Sequence, residues 1–168
     1  DWAWLLCGGF LGKYSYVIWD WNGTLIDDVP LACELLNDML RARALPEITV
    51  EQYRQFYEHP IRRVYEKAGF DLLAETFAEL SQQWHSAYLE RLDEIVLQPG
   101  ALQILTELRA RGVEQVILSA LPHTILVDSV GRHGVESFFL AVRGLEDSLA
   151  RSKIENGRQM LEALRINS

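Results

Sequence analysis

One stretch of this 168-residue chain limits its fold more than any other: Tyr16-Val17-Ile18-Trp19-Asp20-Trp21-Asn22-Gly23-Thr24-Leu25. Aromatic and β-branched residues favour a strand. The run stops at an acid, and a turn-forming Asn-Gly and a Thr follow within four residues. A buried strand delivers a carboxylate to the mouth of a parallel sheet in this way, and open α/β sheets bind ligands at that edge. Local pattern alone leaves a second reading open, because Asn-Gly between apolar stretches is also the strongest short hairpin signal. Against the hairpin, the second arm loses its alternation at Asp27-Asp28 and then meets Pro30.

After this stretch the hydrophobic period becomes helical. Leu31, Leu35, Leu36, Met39 and Leu40 share one face, and the pattern ends before Pro46. Thr49 and Gln52 make a capping box for a short helix carrying Tyr53, Phe56 and Tyr57. Ile61, Val64, Tyr65 and Ala68 form a third stripe, stopped at Gly69. A long amphipathic helix is expected through Leu73, Phe77, Leu80, Trp84 and Tyr88. At Pro99-Gly100 the character changes. Leu102, Leu105 and Leu108 predict a helix closed by Gly112, and Gln115 to Ser119 a buried strand. Ile125, Leu126 and Val130 predict a helix ending near Gly134, and Phe138 to Val142 a third strand. Ser152 opens a last helix with Ile154, Met160, Leu161 and Leu164. Strands alternating with helices imply parallel βαβ units. The expected architecture is therefore α/β, a Rossmann-like parallel sheet with a helical block inserted after the first strand. Residues 14–28 and 97–168 would form the core, 29–96 the helical insertion and 1–13 an N-terminal extension.

The net charge of −8 leaves no basic surplus for nucleic acid. Cys7 and Cys33 are far apart and lack metal-ligand spacing, which favours a reducing cytoplasm. Residues 2–11 are apolar but too short to span a bilayer, and no basic flank marks them as a signal peptide. Gly8-Gly9-Phe10-Leu11-Gly12-Lys13 fails as a phosphate loop: Cys7 stands where the first glycine belongs, Tyr14 replaces Ser or Thr, and the stretch precedes a strand.

A few residues carry candidate chemistry. Asp20 is a nucleophile able to attack phosphorus and form an aspartyl-phosphate. Attack on an anionic phosphate needs compensating charge, from Mg²⁺, a lysine and oriented donors. Thr24 and Ser119 offer hydroxyls, and the Asn22-Gly23-Thr24 turn offers backbone N–H groups. Lys153 follows Ser152, which caps with Glu155, so the lysine sits in a first helical turn and opposes the helix dipole. Taken singly, Ser119 also reads as a strand-end turn serine and Lys153 as a solvated surface lysine. Arg62 and Arg63 are candidates for a substrate's anionic tail or a solvated pair. His59, His85, His123 and His133 show no metal-ligand spacing, and His123 is a conceivable substrate contact.

Asp20-Trp21-Asn22-Gly23-Thr24-Leu25 resembles the first motif, Asp-x-Asp-Gly-Thr-Leu, of the haloacid dehalogenase superfamily of phosphatases. Val116-Ile117-Leu118-Ser119 is similar to its second motif, Ser152-Lys153-Ile154-Glu155 to its third, and the helical insertion to its cap. The re-entry at Pro99-Gly100 resembles phosphoglycolate-phosphatase-like members. The resemblance implies a Mg²⁺-dependent hydrolase of a small phosphorylated metabolite, with neither nucleic acid nor membrane as partner. Asp20 would be nucleophile and metal ligand, and Asn22 would lend its backbone carbonyl to the metal. Gly23, Thr24, Ser119, Ala120 and Lys153 would hold the phosphoryl group, Lys153 also balancing charge, and the cap would select the substrate.

Two departures from the family pattern matter. Asn22 replaces the family's second aspartate, and an amide cannot protonate a leaving group or activate water. The fourth motif, a strand with Gly-Asp and a further acid, is absent. The C-terminal part of the core is thus expected to be missing, the natural gene to continue, and these 168 residues alone to be poorly stable. A weakened relative that binds a phosphorylated ligand without efficient turnover is therefore an alternative. Metal-independent dehalogenase chemistry is a third, disfavoured by Gly23-Thr24.

Overall fold

The computed structural model describes residues 15–58 and 60–145. Its chain divides into two compact units, one built from the residues up to Ile26 and from Leu97 onward, the other from Asp27–Val96.

The first unit is α/β. Strand β1 (Tyr16–Trp19) pairs in parallel with β2 (Glu114–Pro122), which pairs in parallel with β3 (Ala141–Leu145). The order is β1-β2-β3, so among the described residues β1 has a neighbour on one side, and Ile18 is 44% exposed. Parallel pairing of β1 with a strand nearly a hundred residues later excludes the hairpin. Helix α5 (Ala101–Ala110) precedes β2 and α6 (His123–Arg132) follows it. Leu105, Val116, Ile117 and Leu126 are fully buried between these layers. Each such side chain contributes about 1.5–3 kcal/mol of transfer free energy.

Buried polar groups tie this unit together. Trp19 Nε1–H donates to Gln115 Oε1 (3.0 Å), and Gln115 Nε2–H donates to the Leu105 carbonyl (2.9 Å). One amide on β2 thus satisfies a β1 indole and an α5 carbonyl, which lets Gln115 remain 1% exposed without an orphaned group.

The second unit is helical: α1 (Val29–Arg41), α2 (Val50–Phe56), α3 (Arg62–Ala68) and α4 (Phe77–Glu90). The stripe on α1 is buried from Leu31 to Leu40, and Leu36, Met39 and Leu40 of it, with Ala32 and Cys33, pack with Tyr53, Val64, Tyr65, Phe70 and Leu80 into one core. The Thr49–Gln52 capping box is present, and Thr76–Glu79 makes another at the start of α4. Asn37 holds Ile48 as a strand partner would, donating to its carbonyl and accepting from its N–H, both at 2.8 Å. Arg43 grips Glu75 with two bonds of 2.6 Å, donates to the Met39 carbonyl and stacks on Phe70 at 5.4 Å. Burial pushes the Tyr65 phenol up to about 12, and burial followed by neighbouring Tyr57 and Asp28 raises Tyr53 further. Buried Asp28 accepts a hydrogen bond from Tyr88 at 3.0 Å.

Four expectations change. Leu73 lies outside α4 and is 99% exposed, because Asp71 Oδ1 accepts the Leu73 N–H and turns the chain before Thr76 caps the helix. Leu102 is half exposed while Leu105 and Leu108 carry the buried stripe of α5. Strand β2 runs on to Pro122, and β3 begins at Ala141 because Glu136–Phe138 coils into a 3-10 turn. The helix expected from Ser152 lies outside the described residues. No helix among the described residues is long and apolar enough to cross a membrane.

Candidate active site

Asp20 is the first residue beyond β1. Trp19 lies opposite Ile117, so Asp20 leaves the sheet near the level of Leu118, one residue short of Ser119 on the adjacent strand. The regular pairing of β2 with β3 breaks between Leu118 and Pro122. Two side chains singled out by sequence therefore come off the same end of neighbouring parallel strands.

The loop after Asp20 is built around Trp21. Its indole is fully buried, donates to Ser129 Oγ on α6 (3.0 Å) and meets His133 edge-on at 5.6 Å. Its N–H donates to Asp20 Oδ1 at 2.9 Å, which steadies the exposed carboxylate. Its carbonyl accepts from the N–H groups of Thr24, Leu25 and Ile26 at 3.2, 2.9 and 3.2 Å. Curling the chain so tightly needs a left-handed residue, supplied by Gly23 at φ +66°. The expected cradle of N–H groups over Asn22-Gly23-Thr24 is therefore narrower, because the Thr24 amide is turned onto Trp21.

Ser119 is buried, and its Oγ accepts from the Leu121 N–H at 3.1 Å. That bond leaves the hydroxyl proton for another acceptor. Thr24 is half-buried and Ala120 exposed. Lys153 lies outside the described residues. Arg62 pairs with Glu66 (3.0 Å) and Arg63 with Glu58 (3.9 Å) on the surface, and exposed His85 bonds to the Ser81 carbonyl.

Sequence reasoning missed Gly144. A Cβ there would lie 2.5 Å from the Leu121 carbonyl and 2.7 Å from His123 Cα, so only glycine lets β3 approach the end of β2 this closely. The Gly144 N–H also donates to His123 Nδ1 at 3.4 Å. The signal was hidden because the apolar run Phe138-Phe139-Leu140 draws the expected strand three residues too early.

Among the described residues no group of three His, Cys, Asp or Glu side chains could hold a metal ion. The Asp20 carboxylate and the Asn22 carbonyl are hard oxygen donors of the kind Mg²⁺ takes, and Mg²⁺ keeps several waters besides one or two carboxylates and substrate oxygens. The donor chemistry fits that ion.

Residues 17–168 match the family model for haloacid dehalogenase-like hydrolases. The chain belongs to that family. It is 30% identical over 154 residues to a phosphoglycolate phosphatase of Rhodobacter capsulatus, an alignment covering 89% of this chain and 69% of the relative. It is 31% identical over 157 residues to the phosphoglycolate phosphatase of Caulobacter vibrioides, covering 88% of this chain and 64% of that one. The chain thus spans about two thirds of the length of these curated relatives. Protein tyrosine kinase A of Mycobacterium tuberculosis superposes with a TM-score of 0.76 at 21% identity, covering 91% of this chain and 70% of that one. That likeness shows the fold alone, and fold does not fix the reaction.

Proposed function

We propose that this haloacid dehalogenase-like hydrolase is a phosphatase that hydrolyses a small phosphomonoester through an aspartyl-phosphate on Asp20. The observation that carries this reading is the Asp20 carboxylate, steadied by the Trp21 N–H beside Ser119 at the carboxyl end of two parallel strands. The names of the curated relatives favour phosphoglycolate or a similar small anion.

In the proposed reaction an Asp20 oxygen attacks phosphorus and the ester P–O bond breaks. Thr24 Oγ1, Ser119 Oγ, Lys153 and the backbone at Gly23 and Ala120 hold the phosphoryl oxygens. Water then displaces the Asp20 carboxylate from phosphorus, releasing inorganic phosphate. A Mg²⁺ ion held by the Asp20 carboxylate and the Asn22 carbonyl would offset the repulsion between nucleophile and phosphate. Asn22 cannot protonate the departing alkoxide, so the proton comes from solvent and good leaving groups react faster. The helical unit Asp27–Val96 acts in this scheme as the substrate-selecting cap, and a buried Cys33 thiol suits a reducing cytoplasm.

Asn22 supports a second reading, a chain that binds a phosphorylated ligand and turns it over poorly. Phosphate release from 2-phosphoglycolate, with Mg²⁺ or with a chelator, separates the two. Asp20→Asn is expected to lose at least about a thousandfold in kcat, and unchanged release would refute the nucleophile. Asn22→Asp is expected to raise kcat by about 10²–10⁴ if the missing acid limits turnover. Tight binding with no release in either form would establish the second reading.

A further inference from the structure

We infer that Ser129 is a positioning residue for the reaction at Asp20: through the buried indole of Trp21 it fixes the direction in which the nucleophilic carboxylate points. The inference rests on the phosphatase reading and deepens it. Every contact it uses lies within the α/β unit.

Ser129 is out of place by the ordinary rules of a helix. It lies in the buried stripe of α6 with Leu126 and Val130, and is 3% exposed. A hydroxyl on an apolar helix face competes for the backbone and costs free energy to bury unless it is bonded. Alanine would suit the helix better. The hydroxyl has a partner from 108 residues away, for Trp21 Nε1–H donates to Ser129 Oγ at 3.0 Å. The Trp21 ring is fully buried, so its N–H needs such an acceptor. His133 braces the same pair. It meets the ring edge-on at 5.6 Å, and its Nδ1 donates to the Ser129 carbonyl at 2.7 Å, the proton being on Nδ1 because a carbonyl only accepts.

The backbone of Trp21 carries this constraint to the nucleophile. Its N–H donates to Asp20 Oδ1 at 2.9 Å, and its carbonyl holds the N–H groups of Thr24, Leu25 and Ile26. Only the side-chain torsions of Trp21 separate the fixed ring from that backbone. Asp20 is exposed, so hydrogen bonds and not packing set the direction of its carboxylate. Two hydrogen bonds thus link Ser129 to the attacking group, Nε1–H to Oγ and N–H to Oδ1. A serine that only stabilised the fold would need the first of them alone. Attack on phosphorus tolerates little misplacement, since about 1 Å costs on the order of a hundredfold in rate.

The test uses the full-length protein, with Ser129→Ala to remove the acceptor and Ser129→Thr to keep it. With 2-phosphoglycolate and Mg²⁺, Ser129→Ala is expected to lose about tenfold or more in kcat and the same factor in kcat/KM, with KM within about twofold. Ser129→Thr is expected to stay within about threefold of the wild-type kcat. A second readout does not depend on turnover. The Trp21 amide proton is bonded to a carboxylate, and its NMR shift should move in Ser129→Ala toward the value in Asp20→Ala, where that acceptor is gone. A purely structural serine would lower the melting temperature in Ser129→Ala and leave kcat and the amide shift at wild-type values. Either value unmoved in Ser129→Ala, or an equal loss of kcat in Ser129→Thr, overturns the inference. If Ser129→Ala does not fold, Ser129→Cys, of serine's shape with a weak acceptor, is held to the same expectations. Hydrolysis that persists in Asp20→Asn overturns the underlying reading instead. In that case, or if the wild type releases no phosphate, the amide shift alone decides whether Ser129 orients Asp20.

Discussion

The helical unit and the α/β unit are stabilised by contacts of different reach. In Asp27–Val96 many polar links are local: two capping boxes, the Arg62–Glu66 pair and the Arg91–Glu94 pair. In the sheet unit the decisive polar links join distant parts of the chain. Trp19 and Gln115 are 96 residues apart, and Trp21 and Ser129 are 108 apart. Local links can be altered one at a time at modest cost. A long-range buried link fails as a whole, because its loss strands a partner that water cannot reach.

Gln115→Leu should therefore have the largest structural effect. It strands the Trp19 indole N–H and takes a second donor from the Leu105 carbonyl, costing about 1–3 kcal/mol. Hydrogen exchange should rise across β1 and α5 while α1 to α4 keep their protection. Equal loss in both units would show that the two do not differ in this way.

Thr76→Ala removes the cap of α4 and should cost about 1 kcal/mol. Faster exchange is expected in the first turn of α4 and nowhere in the sheet. Spread of the effect into α1 would mean that the local links are coupled more tightly than their geometry suggests.

Acid gives the mildest test. Hydrogen bonds from Arg43 hold Glu75 below its ordinary value of 4.5, those from Thr76 do the same for Glu79, and Lys67 does so for Glu58. A depressed carboxylate contributes stability that is complete above its unfolded value and is lost as pH falls through the folded one. The helical unit should thus loosen below about pH 4.5, and the loss should be small because solvent reaches all three acids. Circular dichroism at 222 nm between pH 6 and 3 would measure it, and an increase in helicity over that range would contradict the assignment.

The same difference in reach explains what could be read in advance. The stripe of α1, the Thr49–Gln52 box, the halt at Gly69 and the acid after β1 are all statements about residues within a few turns of each other. Periodicity and capping chemistry write such contacts directly into sequence. Leu73 misled because its spacing suits the α4 stripe, yet Thr76 starts the helix later and leaves Leu73 outside. Phe138 to Leu140 misled because a short apolar run does not by itself distinguish a strand from a 3-10 turn, here one that meets Arg109 of α5 through Phe138.

The sequence by itself determined that Asp20 ends a strand, that Ser119 belongs to a second one, and that a helical block separates them. Tertiary structure alone decided what surrounds that carboxylate. It set Ser129 under the Trp21 indole and, at the end of the adjacent strand, brought Gly144 against His123. The reason is physical: those contacts require strands and a helix from distant parts of the chain to approach closely, and no local pattern encodes that approach.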